Sequence, residues 1–302
     1  MKTKKLLPFL LFLVAVNLWA QEKNYPSGAL LWKISGKDLE KSSYILGTFH
    51  LKTGAYLDSI PGARAALNAS EQVIGEVDLS NFAQMQQQVM PSMMMPADTT
   101  YHQLYSETDY QFVSEKIRTL LGAGLEQMGV LKPVAIQTAV SVIEYTKTIP
   151  GFNPENVLDI HIQAEAVKNQ KPVLALETVD EQIYALVQSS SIQRQADQLL
   201  CYFKNGDEII VKELNLFVES YNKGDLNALY SYFIGNDDDL CPSTQYEKNV
   251  LLKDRNGRWL KKLPALMKEK SSFIAVGAGH LAGEDGILYR LKQAGYAIDP
   301  VK

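Results

Sequence analysis

At 302 residues the chain has room for one large domain or two small ones, and 46% apolar with 21% charged residues are the proportions of an ordinary globular protein. The formal net charge of −4 and the lack of any basic stripe argue against a nucleic-acid partner.

The first twenty residues read as a signal peptide. Lys2, Lys4 and Lys5 precede an apolar run over residues 6–16, and the small residue Ala20 closes the segment. The run is too short to span a bilayer, and no later apolar segment is long enough. No cysteine follows Ala20, so no lipid anchor is expected. The expectation is an exported chain, periplasmic or secreted, whose mature part begins near Gln21. A retained membrane anchor is the alternative. Only Cys201 and Cys241 contain sulfur as thiol or disulfide. An oxidising compartment permits them to pair, and two separate thiols in a helical layer are the other reading.

Residues 29–34 and 43–48 have strand composition, and the polar connector Lys37–Lys41 between them suits a hairpin. A loop follows His50, then a helix near 60–69 with Pro61 in its first turn. Residues 72–77 read as the next strand, running into Gly75-Glu76-Val77-Asp78. Residues 84–98 are rich in Gln and Met and are expected to form a helix-to-loop connection with partly buried methionines, although Met also suits adaptable binding surfaces. Ser106-Glu107-Thr108-Asp109 is a capping pattern before an apolar-periodic run. A helix is expected to start at Asn153-Pro154, followed by a strand over 172–176 that ends in Leu176-Glu177-Thr178. Residues 181–200, 207–222 and 243–268 read as helices. The last part repeats the first: a strand over 273–276, then Gly277–His280, a helix over 285–293 stopped by Gly295, and a strand over 296–301.

The repeat is the sharpest signal. Ser42-Ser43-Tyr44-Ile45-Leu46-Gly47-Thr48-Phe49-His50-Leu51 and Ser271-Ser272-Phe273-Ile274-Ala275-Val276-Gly277-Ala278-Gly279-His280-Leu281 are each an apolar strand followed by G-x-x-H-L. The glycine permits a tight turn where the strand stops, and the histidine then lies at the strand's carboxyl end, where open α/β sheets place ligands. Two of the four histidines in matching contexts at opposite ends of the chain suggest two halves of one site. The fold class expected is α/β: a mixed sheet built from two related strand–GxxH–helix–strand halves, one domain over 21–302, with helical insertions roughly over 84–150 and 181–268.

A neutral imidazole can ligate a metal or act as a base near neutral pH. For His50 or His280 alone, a hydrogen bond to its own loop would be the plainer reading; as a pair they point to function. Glu76 ends a strand expected to neighbour that of His50, so its carboxylate can complete a metal site or serve as a base. Asp78, two residues on, is a weaker candidate. Glu177 occupies an equivalent place after its own strand, either in the site or as an acid ahead of the following helix. Arg255 and Asn256 precede Trp259 on an expected helix; an arginine aimed at a site can stabilise an oxyanion, though most helical arginines lie at the surface. His102 and His161 lack a carboxylate pattern and are expected to be structural. There is no H-E-x-x-H, G-x-S-x-G or Gly-rich phosphate loop.

The ordered set Leu31-Trp32-Lys33-Ile34, Gly47-Thr48-Phe49-His50-Leu51, Gly75-Glu76-Val77-Asp78, Leu176-Glu177-Thr178 with Glu181-Gln182, Arg255-Asn256 with Trp259, Gly277-Ala278-Gly279-His280-Leu281 and Gly295-Tyr296 resembles the TraB/GumN family, which also includes the Tiki metalloproteases. The resemblance covers residues 28 to 301. It implies the wider erythromycin-esterase/ChaN-like fold, places His50, Glu76 and His280 at the core of the site, and raises Arg255, Asn256 and Glu177 as catalytic candidates. It implies either a peptidase dependent on a divalent metal (Mn, Co or Zn) held by His50, Glu76 and His280, or a metal-independent esterase with a histidine base. A binding protein that holds haem or a metal without turnover is a third reading. The expected partner is a peptide or ester substrate.

For exported material the expected N-terminus is at or near Gln21, checked by mass analysis of the N-terminal peptide. Intact Met1 in a soluble cytosolic pool would count against export.

Overall fold

The structure, a computed structural model, describes residues 25–149, 151–205, 207–235 and 241–302. The signal segment expected over 1–20 lies outside the described residues. Six strands form one open mixed sheet: β1 (Leu31–Ser35), β2 (Ser43–Thr48), β3 (Gln72–Gly75), β4 (Val173–Ala175), β5 (Ser272–Gly277) and β6 (Ala297–Pro300). The spatial order is β4-β3-β5-β2-β1-β6. The first four in that order run parallel, and β1 is antiparallel to β2 and to β6. The polar connector after Ser35 does close a hairpin. Both expected halves form: β2 leads through helix α1 (Ala63–Ala69) to β3, and β5 leads to β6 through a helix over Ile287–Gln293. The two halves interleave, because their first strands, β2 and β5, are direct neighbours in the middle of the sheet.

That adjacency explains the motif glycines. Gly47 lies inside β2 without a positive φ, so it serves close approach rather than the tight turn expected from the sequence. A Cβ there would stand 2.9 Å from Leu281 Cδ1 and 3.1 Å from Ala278 Cα, both in the second motif. One G-x-x-H segment packs against the other, and only hydrogen fits between them.

Strands buried on both faces read as continuous apolar runs. Ile45, Leu46, Val73, Ile74, Phe273 and Ile274 have no exposed surface, and helices from both sides of the sheet share their core. A second, smaller core lies among helices only. It joins Tyr101, Tyr105, Val113, Ile117, Ile136 and Val140 to Ala196, Leu199 and Phe203. The helical stretches over 101–148 and 192–204 thus fold against each other, whereas Trp259, Leu263 and Met267 belong to the sheet core.

Some helix boundaries differ from the sequence expectation. Asn153-Pro154 forms a turn, with Asn153 Oδ1 accepting from the Glu155 N–H, and helix α2 begins only at Leu158 and runs to Lys168. Asx-turn chemistry prevailed over the helix-start signal. The stretch 181–200 is split: helix α3 (Val179–Ile183) opens a π-turn over Tyr184–Gln188, and Ser191 caps a new helix, α4 (Ile192–Lys204). The stretch from 243 is a one-turn helix over Gln245–Lys248 and a π-turn over Asn249–Lys253 before the long helix α5 (Asp254–Glu269). Leu226–Ile234, capped by Asp225, is a helix with no sequence counterpart above. The Gln/Met stretch is helical over Phe82–Val89 and forms a 3₁₀ turn over Met90–Met93, with no fully buried residue in either. Among the described residues no helix is long and apolar enough to cross a membrane.

Cys201 and Cys241 form a disulfide that ties α4 to the segment leading into the one-turn helix at Gln245. With a sequence separation of 40, loop closure in the unfolded chain makes the bond worth about 4 kcal/mol. Reductant, or the Cys201→Ser/Cys241→Ser pair, should therefore lower the melting temperature. An unchanged transition would show that the bond constrains nothing.

Candidate functional site

The site is assembled by the carboxyl ends of the four parallel strands. In the order β4-β3-β5-β2, each chain continues one to three residues past its strand into Glu177, Glu76, His280 and His50. Open α/β sheets bind ligands at this edge. Glu177 and Glu76 are held side by side by the backbone, where Glu177 N–H donates to the Glu76 carbonyl.

Arg255, in the first turn of α5, is buried over this edge and organises three of the four. Its Nε donates to both Glu177 oxygens at 3.1 Å. Its Nη2 donates to Glu177 Oε1 at 2.6 Å and to Glu76 Oε2 at 2.5 Å. Its Nη1 donates to the Leu251 carbonyl at 3.3 Å and to His280 Nε2 at 2.9 Å. All five N–H groups of the guanidinium are thereby occupied. Trp259, one turn on, donates Nε1–H to Glu177 at 3.3 Å and packs its ring 4.4 Å from that of His280. Glu76 Oε1 accepts the Gly277 N–H at 2.7 Å.

The hydrogen bonds fix the His280 tautomer. An arginine can only donate, so Nε2 is the acceptor, and Nδ1–H donates to Asn256 Oδ1 at 2.7 Å. Asn256 Nδ2 donates to the carbonyls of His280 and Asp285. Burial lowers the His280 pKa to about 3, with Arg255 and His50 acting the same way against Glu76, so the ring is neutral. Burial would push Glu76 up, but His280, Arg255, His50 and the Gly277 N–H overcome it and hold its pKa at about 2. Since His280 is neutral, the cations beside Glu76 near neutral pH are Arg255 and, with its raised pKa, His50.

His50 is different. Its Nδ1 lies 3.0 Å from Asp159 Oδ2, and Asp159 Oδ1 accepts the Thr48 hydroxyl at 2.6 Å. A carboxylate only accepts, so Nδ1 carries the hydrogen and Nε2 is the reactive nitrogen. The side chain is 65% exposed, whereas that of Arg255 is 3% and that of Glu177 is 0% exposed. The charge of Asp159 raises the His50 pKa to about 9 against partial desolvation, and Glu76 adds to the rise. Solvent at the open face screens this attraction.

The candidates from sequence therefore divide. His50, Glu76, His280, Arg255, Asn256 and Glu177 come together. Asp78 does not; it is exposed and caps its own turn by accepting the Ser80 N–H. Glu177 is not the acid that caps the following helix: Thr178 is the N-cap of α3 and forms a capping box with Glu181 inside the helix. His102 stacks on Tyr110 and His161 pairs with Glu165 one turn on, away from the strand ends. Sequence reasoning missed Asp159, in the first turn of α2. Its one local signal is an acid directly before an apolar-periodic helix, which reads equally as a charge matched to the helix N-terminus. Gln182 in α3, which belonged to the motif set but was given no role, reaches Glu76 and Glu177 with its amide at 3.4 Å.

The arrangement does not suit a divalent ion as it stands. Arg255 takes the His280 Nε2 lone pair and one Glu76 oxygen, leaving His50 Nε2 as the open donor. Among the described residues no group of three His, Cys, Asp or Glu side chains is disposed to hold a metal.

The model of the TraB/PrgY/gumN family matches residues 30–300, and the chain belongs to that family. A Metalloprotease TIKI homolog from Nematostella vectensis is 25% identical over 93% of this chain and 68% of its own. Metalloprotease TIKI1 from Danio rerio is 24% identical over 90% of this chain and 63% of its own, and TIKI1 from Xenopus tropicalis is 25% identical over 94% and 64%. The chain thus spans about two thirds or less of the relatives' length. No solved structure matches.

Two outcomes follow from the buried charges. Arg255→Met removes the cation between two carboxylates, one wholly buried, and should cost about 3–5 kcal/mol by urea unfolding; Glu177→Gln, which keeps hydrogen-bonding capacity, should cost less. Stability should also depend on acid. His280 stays neutral to about pH 3 when folded but takes a proton near 6.5 when unfolded, so stability falls as pH drops through that interval. Glu76 adds a further loss between 4.5 and about 2. His50 acts oppositely: its contribution is complete below 6.5 and is lost as pH rises through about 9. A flat stability profile from pH 7 to 4 would contradict the neutral, Arg-bonded His280.

Proposed function

We propose that this member of the TraB/PrgY/gumN family is an exported, peptidase-like hydrolase of carbonyl bonds in which His50 is the general base. The observation that carries this reading is the Asp159–His50 pair, with Nδ1 anchored and Nε2 presented to solvent. An anchored imidazole with one free nitrogen is the arrangement that base catalysis requires. The names of the relatives, metalloproteases at about 25% identity, support a peptidase-like hydrolase in general.

In this reading His50 Nε2 takes a proton from water as the water oxygen attacks the substrate carbonyl. The imidazolium so formed is stabilised by Asp159 and by the charge of Glu76. It then returns the proton to the departing amine or alkoxide, which leaves an acid and a neutral amine or alcohol. Arg255 and Asn256 act as positioning residues, since their donors are committed to Glu76, Glu177, His280 and nearby carbonyls. They keep Glu76 ionised and the His280 turn fixed beside His50.

A divalent-metal peptidase using His50, Glu76 and His280 is the second reading, and the relatives' printed names favour it. It requires His280 Nε2 to be free of Arg255. Elemental analysis of protein produced with Mn, Co and Zn supplied, with activity before and after chelation, separates the two. Activity that survives chelation at full strength supports the histidine-base reading; activity lost with the ion and restored by it overturns it.

For the histidine-base reading, kcat/KM on a peptide or ester substrate should rise about tenfold per pH unit through neutrality and level off near pH 9. His50→Ala should lose nearly all activity. Asp159→Asn should lower kcat by about 10²–10⁴ and shift the alkaline limb downward. His280→Ala should be as inactive as the double variant, because residues acting as a unit are not additive. A folded His280→Ala with full activity would sink the shared site, and a pH profile unaffected by Asp159→Asn would remove that residue from its role.

A further inference from the structure

The sequence over 79–97 contains no charged side chain. In the structure this stretch carries a helix and a 3₁₀ turn on which no residue is fully buried. A surface helix without charge is unusual, because solvated helices ordinarily carry Lys, Glu and Arg on the outer face. The methionines are open to solvent, Met90 at 55% and Met94 at 41%.

Its neighbours add exposed apolar and aromatic groups, with exposed charges beside them at Asp180 and Lys253. The 3₁₀ turn Met90–Met93 touches the π-turn Tyr184–Gln188, which touches the π-turn Asn249–Lys253. Leu186 and Tyr184 on the first π-turn are 49% and 47% exposed, and the Tyr184 hydroxyl bonds that of Tyr246, itself exposed. The result is a set of exposed apolar and aromatic side chains on the first two segments, extended by Tyr246, while the π-turn Asn249–Lys253 buries Val250 and Leu252 and exposes Lys253 at its end.

Each segment is joined to the site by a few residues of chain. Helix Phe82–Val89 begins six residues after Glu76 and packs on α3. The first π-turn follows Gln182, which reaches Glu76 and Glu177. The second π-turn ends two residues before Arg255. π-turns in helices recur at functional sites, and here both lead into residues that hold the strand-end charges.

We propose that this surface is the substrate-binding face of the site: it takes an uncharged, apolar segment of the substrate polypeptide and leads it to His50. The proposal rests on the hydrolase reading and names its substrate class. Continuity with the site argues for the substrate as the occupant, and the missing charge fits a segment that has none. Methionine and glutamine side chains adapt to varied apolar sequences without demanding one. Binding energy gathered away from the scissile bond can then be used at it.

The test uses the His50→Ala variant, so that binding is read without turnover. Two fluorescein-labelled dodecapeptides are compared by anisotropy, one built of Leu, Met, Ala and Ser and one with Asp at every third position. The apolar peptide should bind at least tenfold more tightly. Adding Met90→Asp and Leu186→Asp, both at exposed positions, should abolish that preference while leaving the melting temperature unchanged. In the otherwise native enzyme the same pair should lower kcat/KM for the apolar peptide at least tenfold and leave a minimal chromogenic ester unaffected. Equal binding of both peptides, or undiminished binding to the Asp variant, overturns the proposal. So does a native dimer that the Asp pair dissociates, or flotation of the native protein with neutral phosphatidylcholine vesicles that the pair abolishes; the face would then belong to a second copy or to a lipid surface. If the native enzyme hydrolyses neither substrate, the hydrolase reading fails, and the anisotropy result still decides whether this face binds apolar polypeptide.

Discussion

The constraint on which the rest depends is one buried guanidinium facing two buried carboxylates and a neutral imidazole. Such a group costs several kcal/mol to desolvate unless its partners are placed to replace water. The sheet places them. Glu177 and Glu76 leave adjacent strands β4 and β3 at the same level, and His280 leaves β5 beside them. Arg255 can be buried only because α5 packs Trp259, Leu263 and Met267 into the sheet core and so carries the arginine over the strand ends. The fold therefore fixes the charges, and the charges in turn bind α5 to the sheet. Loss of either partner leaves a charge that the apolar surroundings do not solvate.

The same logic explains why His50 stands apart. The other three strand-end residues are committed to Arg255, and their lone pairs and protons are used within the protein. His50 leaves β2, the strand farthest from Glu177 among the four, and its partner Asp159 comes from α2 rather than from α5. Anchored by Asp159 alone, its side chain stays 65% exposed. Charge and exposure thus divide the site into a fixed part, which sets the field, and the exposed ring of His50.

Much of this was legible in the sequence, and for physical reasons. A parallel strand buried on both faces must be a continuous apolar run, so strands were expected at 43–48, 72–77 and 273–276, and they form at Ser43–Thr48, Gln72–Gly75 and Ser272–Gly277. Glycine and histidine at equal distances after two such runs marked the site edge. The role of the glycine did not show, since sequence cannot separate a residue needed for a turn from one needed for contact; Gly47 against Ala278 and Leu281 is the second kind. Nor did the helical part read cleanly. The break at Ser189–Ser191 did carry a signal, a serine cluster ending in a helix N-cap, whereas the two π-turns have no strong local signature, because apolar residues continue through them. Asp159 was hidden for the same reason: an acid in a first helical turn has a sufficient local explanation, and only the fold reveals that it faces His50. Glu177 and Arg255 are the reverse case. Neither residue type belongs inside a protein by composition, and their burial is explained only by each other.

That mutual burial bears on the chemistry as well. Two carboxylates and an imidazole lone pair converging on one point are the kind of donor set that gathers a cation, and Arg255 supplies a cation there as part of the chain. A guanidinium differs from a metal ion in what it can do. It cannot lower the pKa of a bound water, and with all five donors engaged it cannot polarise a substrate carbonyl in this arrangement. What it does is help keep Glu76 ionised and add to the burial that keeps His280 neutral, next to the open ring of His50. The carboxylate of Glu76 stabilises the imidazolium that forms when His50 accepts a proton, while the neutral His280 adds no opposing charge. In that sense the buried cluster sets the charge around His50, whose 65% exposed ring is the open part of this strand-end edge.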